Sequence, residues 1–93
     1  CCADDLAYGV LEACKAHQLS VPDDLSVIGY DDVPYAKMLT PKLTTIAQPL
    51  VNLGQVAAGK IARIINGQEP EVTRITLPTE LVIRESTQLF SGR

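Results

Sequence analysis

The run Leu25-Ser26-Val27-Ile28-Gly29-Tyr30, cut off by Asp31-Asp32-Val33-Pro34, constrains this chain more than any other feature. A short, mostly apolar stretch of this kind is the pattern of a strand covered on both faces, and such strands belong to parallel sheets flanked by helices. The flanking sequence supplies the helices. Behind Asp4 and Asp5, the positions Leu6, Val10, Ala13, Cys14 and His17 recur at a spacing that predicts an amphipathic helix over about residues 5–18. Acids in its first turn suit the free N–H groups and the helix dipole. Ser20 to Asp24 reads as a turn with a helix-stopping Pro22, and Tyr35 to Leu39 as a short helical turn closed by Thr40-Pro41. Leu43 to Ala47 is rich in β-branched residues and has strand character. Pro49 in a first helical position opens a second helix with Leu50, Leu53, Ala57, Ile61 and Ile64 on one face. Asn66-Gly67 is its stop signal, with Pro70 beyond. Glu80 to Glu85 alternates as a last strand before a polar tail. The order strand–helix–strand–strand–helix–strand defines an α/β fold with a parallel sheet.

Composition narrows what such a fold can do. Hydrophobic residues make up 46% of the 93, enough for a packed core, yet the chain is short for a self-sufficient one. The net charge is −3, and the eight basic residues are scattered from Lys15 to Arg93, so this stretch presents no nucleic-acid surface of its own. Three cysteines (Cys1, Cys2 and Cys14), with no CxxC pair, are read as buried, reduced thiols of a cytoplasmic protein. No apolar run approaches the roughly 20 residues of a membrane span, and no membrane partner is expected. Cys1-Cys2-Ala3 reads as the tail of a buried strand feeding directly into a helix, so the chain is expected to be part of a longer polypeptide.

In open parallel sheets, ligands bind outside the carboxyl ends of the strands. Asp4, Asp31 and Gln48 fall there, after the first, second and third strands. Carboxylates accept several hydrogen bonds and a Gln amide both donates and accepts, which suits a neutral polyhydroxy ligand whose buried hydroxyls need partners. Each has a plainer reading. Asp4 is also explained as a helix N-cap, and Gln48, a poor cap, could serve the helix that follows. Asp32 is better explained as a turn residue than as a ligand contact. Asp31 directly follows a buried strand and has less structural excuse.

Catalytic constellations are missing: the single His17 sits near a helix end, and there is no nucleophile elbow, phosphate loop or metalloprotease helix. No catalytic residue, resident metal or cofactor is therefore expected. The one rival is a magnesium-dependent enzyme using Asp4, Asp5, Asp31 and Asp32 as an acid cluster, with no lysine or nucleophile to complete it.

The segments Asp4-Asp5-Leu6-Ala7-Tyr8-Gly9, Leu19 to Asp32, Pro41 to Pro49, Leu53-Gly54 and Leu81 to Thr87 together resemble the LacI/GalR family of transcription regulators. The likeness spans nearly the whole chain. Its most specific parts are the Gly29-Tyr30-Asp31-Asp32 strand end, the Leu43-Thr44-Thr45-Ile46 stretch leading to Gln48-Pro49, and Arg84-Glu85-Ser86. The resemblance implies the C-terminal part of a periplasmic-binding-protein-like effector core, in which two α/β subdomains close over a small molecule. Residues 1–47 would form mostly the second subdomain and 48–74 a helix belonging to the first. Residues 75–93 would be a return strand and tail.

The resemblance also implies a function. The intact protein would be a cytoplasmic, ligand-responsive regulator, most often a repressor, that meets operator DNA through an N-terminal headpiece not included in these 93 residues. The alternative within the fold is a periplasmic sugar-binding protein of an uptake system. The implied effector is a sugar, sugar phosphate or nucleoside. Asp31 matches the family carboxylate that binds its hydroxyls, Gln48 a ligand-facing position at the crossing between subdomains, and Leu50 an apolar wall. Asp4 matches the acidic residue at the same corner. Ala3 departs from the pattern, since many sugar-binding members have Asn there. A homodimer or tetramer is implied, with Tyr8, Leu11, Tyr35, Met38 and Leu39 as interface residues. For Leu11, ordinary core packing is an equal alternative.

Overall fold

A computed structural model describes residues 1–68 and 74–90. In chain order it contains α1 (Asp4–Ala16), a 3-10 turn (Pro34–Met38), β1 (Thr45–Ala47), α2 (Leu50–Ile65) and β2 (Glu80–Val82). The chain divides into two compact units. One comprises residues 1–47 together with those from Glu80 onward, and the other comprises residues 48–79.

In the first unit, α1 lays Asp4, Ala7, Leu11 and Cys14 inward, a three- and four-residue spacing that keeps them on one face. The sequence pattern put the stripe at Leu6, Val10, Ala13, Cys14 and His17, of which only Cys14 is buried. Leu6 is exposed and Val10 only half-buried, so the helix is turned by about one position, or 100°, from that expectation. The small Ala7 and Ala36, both fully buried, share a core cluster with Leu11, Val27 and Leu43. Val10, Val21, Val33 and Leu39 pack against that cluster from its edges.

The helix ends at His17, an exposed C-cap, and Gln18 takes the left-handed conformation with φ of 59°. The Leu19 N–H then reaches the Cys14 carbonyl and the Gln18 N–H that of Lys15, a Schellman closure without glycine. The turn after it is held by Asp24, whose carboxylate accepts from the Ser20 N–H at 2.7 Å.

Three segments of this unit run side by side in one direction. Gly29 and Asp31 donate their N–H groups to the carbonyls of Thr44 and Ile46, and parallel bridges join Ile28 to Thr44 and Asp31 to Ala47. On the other side, the Cys1 amino group bonds the Ile28 carbonyl and the Asp4 N–H that of Tyr30. The parallel arrangement predicted from sequence is thus present as single bridges, and the run at 25–30 is not a continuous strand. Leu25 and Ile28 are exposed. The one ladder among the described residues is antiparallel: β2 returns against β1, with Thr45 opposite Val82 and Ala47 opposite Glu80. Cys1 and Cys2 are exposed thiols, contrary to the expectation of burial, and only Cys14 is buried.

The second unit is built on α2. Pro49 is its N-cap rather than its first helical residue. Asn66 caps the other end, Gly67 has φ of 79°, and the N–H groups of Gly67 and Gln68 close on the Ile64 and Arg63 carbonyls. Glycine costs nothing at that φ. Leu50, Leu53, Ala57, Ile61 and Ile64 fall within an arc of about 80° at 100° per residue, yet no residue of α2 is buried. Pro70 lies outside the described residues.

Candidate functional site

The parallel pairings place the carboxyl ends of the three segments of the first unit together, so Asp4, Asp31 and Ala47 mark one edge. Asp31 and Asp32 turn the chain there through consecutive positive φ angles, 117° and 57°. Asp tolerates such conformations better than most residues, because its short polar side chain bonds locally. Asp31 is half-buried, and its N–H is tied to Ile46 at 2.9 Å.

Asp4 has a different part. It is fully buried, and one carboxylate oxygen accepts from the Val33 N–H at 2.8 Å while the other accepts from the Thr45 hydroxyl at 2.7 Å. It is not the N-cap of α1, which is Ala3, and its side chain makes no capping bond. Its carboxylate joins the start of α1 to the corner after Asp32 and to β1. Gly29 makes this possible, since a Cβ there would collide with Asp4 Oδ1 and come within 2.9 Å of Leu43 Cδ2.

Asp32 does more than shape a turn. Its carboxylate pairs with Arg84 at 2.7 Å, with both side chains largely buried, while the other arm of the Arg84 guanidinium donates to the Leu43 carbonyl at 2.9 Å. The sequence reading missed Arg84, although a basic residue in an alternating strand where an inward position falls was a visible signal. It also missed Ser86. That fully buried hydroxyl donates to the Val27 carbonyl at 2.6 Å and accepts from the Thr44 N–H at 2.8 Å. Glu85 accepts from the Lys42 N–H, and the Thr44 hydroxyl accepts from the Arg84 N–H. The Arg84-Glu85-Ser86 signature is therefore a seam that closes the core.

Gln48 and Leu50 lie in the second unit; Gln48 is half-buried and Leu50 is exposed in the first turn of α2. Three of the four acids of the rival magnesium cluster are engaged elsewhere. Asp4 turns inward, Asp32 pairs with Arg84, and Asp5 accepts from the Tyr35 hydroxyl. No group of three or more His, Cys, Asp or Glu among the described residues could hold a metal.

The residues named for a subunit interface separate into two sets. Leu11 is a core residue, 3% exposed, because the inward face of α1 runs through it. Tyr8, Tyr35 and Leu39 instead line a shallow apolar groove of about 380 Å³. The two rings meet edge to face with centroids 6.3 Å apart, and Met38 nearby is 74% exposed.

The chain matches, over residues 1–87, the family described as periplasmic binding protein-like domain. It is 36% identical over 88 residues to a protein named probable HTH-type transcriptional repressor ExuR, from Bacillus subtilis, covering 95% of this chain and 26% of that protein. Among solved structures it superimposes on a LacI family transcriptional regulator from Enterococcus faecium with bound ribose. The TM-score is 0.85 at 38% identity, with 92% of this chain and 32% of the other covered. A dimeric Lac repressor gives a TM-score of 0.82 at 35% identity, with 92% and 31% covered. The chain belongs to the periplasmic binding protein-like domain family and, over this stretch, is similar to LacI-type transcription regulators. It spans about a quarter of the length of such curated relatives and about a third of the solved chains.

Proposed function

We propose that this chain is the effector-binding and dimerisation part of a ligand-responsive transcription regulator, a repressor that responds to a sugar or related polyhydroxy small molecule. The observation that carries the reading is the Asp31 corner, a half-buried carboxylate at the shared carboxyl edge of three parallel segments. A carboxylate offers about four acceptor sites, so it can take ligand hydroxyls beside its existing bonds. Gln48 and Leu50 are proposed as a further polar contact and an apolar wall. Asp4 contributes by bracing the corner from beneath. The ExuR-like relative supports repression, and the ribose-bound neighbour supports a sugar effector over an uptake role or an enzyme.

In this reading residues 1–47 belong to the second lobe of the intact core, and the helix within 48–74 contributes to the first. Its exposed apolar face supports packing on residues outside this chain. The effector binds one lobe arrangement better than the other, and that difference biases how paired headpieces engage operator DNA. Tyr8, Tyr35, Met38 and Leu39 form the patch that meets a second subunit, and such a regulator works in the cytoplasm. A thermal-shift screen of sugars and nucleosides on the full-length protein identifies the effector by the rise in apparent stability. Asp31→Asn should then weaken it about 10- to 100-fold, the loss of a charge-assisted hydrogen bond worth about 1.5–3 kcal/mol. Undiminished affinity in that variant refutes the site.

A further inference from the structure

We infer that Arg84 is a positioning residue for the Asp31 carboxylate, acting through Asp32; the inference rests on the site proposed above. Two consecutive non-glycine residues at φ of 117° and 57° persist only where the surroundings over-determine them. Here the constraints are visible one by one. Ahead of the corner, the Tyr30 carbonyl is held by the Asp4 N–H at 3.0 Å and the Asp31 N–H is held by Ile46. Behind it, the Val33 N–H is held by the Asp4 carboxylate. Between those anchors, the side chain of Asp32 has one charged partner among the described residues, Arg84, at 2.7 Å.

Arg84 is itself fixed at three points. Its backbone N–H donates to the Thr44 hydroxyl at 2.8 Å, one guanidinium arm to the Leu43 carbonyl and the other to Asp32. The planar fork fixes the angle between its two acceptors, which a lysine ammonium on a flexible stem does not. The guanidinium thus sets where Asp32 sits relative to residues 43–44, and through the adjoining peptide the direction in which Asp31 leaves the sheet edge. The residue that does this lies just after β2, so the return segment, and not only the strand ends, defines the effector side of the unit.

The test uses the full-length protein with Arg84→Met, Arg84→Lys and Asp32→Asn, read first by amide hydrogen exchange without ligand. The Asp31 and Asp32 amides should exchange about tenfold faster in Arg84→Met and Asp32→Asn, and less so in Arg84→Lys, while the Ala7 and Leu11 amides of the core are unchanged. Equal acceleration everywhere, or none at Asp31, overturns the inference. Asp32→Asn carries the same reading if Arg84→Met fails to fold. The second measurement is affinity for D-ribose. Arg84→Met should weaken it about tenfold alone and add nothing to Asp31→Asn, because the arginine acts through that carboxylate; an additive loss overturns the inference. If the wild type ignores ribose while its Asp31 amide still responds to Arg84, the exchange result upholds the positioning and the sugar reading is what fails.

Discussion

Removing the Asp4 carboxylate tests the construction of the site edge most sharply. In Asp4→Ala two donors lose their acceptor. The Thr45 hydroxyl lies in a fully buried position, so its loss falls in the usual range of about 1–3 kcal/mol for an unsatisfied buried group. The Val33 N–H is only partly buried, and water can reach it, so its share is nearer the lower end of about 1 kcal/mol. The cavity left by the side chain adds to this, for a total of about 3–4 kcal/mol. Asp4→Asn costs less, about 1–2 kcal/mol, because its oxygen can still accept from Val33 and its NH₂ can donate to a rotated Thr45 hydroxyl. Thr45→Val in the Asp4→Ala background removes one orphaned donor, so the double variant should be more stable than the sum of the two losses by at least about 1 kcal/mol. Urea unfolding of the full-length protein measures all four species. A loss below about 0.5 kcal/mol in Asp4→Ala, or strict additivity, would show that the carboxylate does not brace the corner.

The other predictions concern the same unit. Ser86→Ala should lower stability by about 2–4 kcal/mol in the same unfolding assay, since both its bonds, to Val27 and Thr44, are buried and neither partner gains a substitute. Gly29→Ala should destabilise by at least about 2 kcal/mol, because the added methyl displaces the Asp4 carboxylate from its two donors. Tyr35→Ala with Met38→Lys should weaken self-association at least tenfold by analytical ultracentrifugation, whereas Leu11→Ala should act on stability, by about 2–5 kcal/mol, with the dimer constant of the folded protein unchanged.

Much of this could be read from sequence because backbone signals are local. The Gly67 stop of α2, the break at Asp31 and the apolar stripe of that helix all depend on residues within a few positions of one another. The register of α1 did not follow, since Leu6 and Leu11 are equally apolar and only the neighbouring Ala36 and Leu43 decide which one is buried. Asp4 was placed at the right corner, but its partners Val33 and Thr45 lie 29 and 41 positions away, beyond any local rule. Arg84 and Ser86 were legible as a signature without a mechanism, because their bonds reach back to residues 27–44. The antiparallel sense of β2 likewise depends on where the chain re-enters.

The seam at residues 84–86 also orders events during synthesis. The Val27 carbonyl and the Thr44 N–H both wait for the Ser86 hydroxyl, which leaves the ribosome only after the whole of residues 48–79 has been made. Until then residues 1–47 are a nascent segment whose Val27 carbonyl and Thr44 N–H lack their Ser86 partner. Premature termination between positions 48 and 85 should therefore yield a species that proteases recognise as unfinished, even though Ala7, Leu11, Val27, Ala36 and Leu43 of its core are already present.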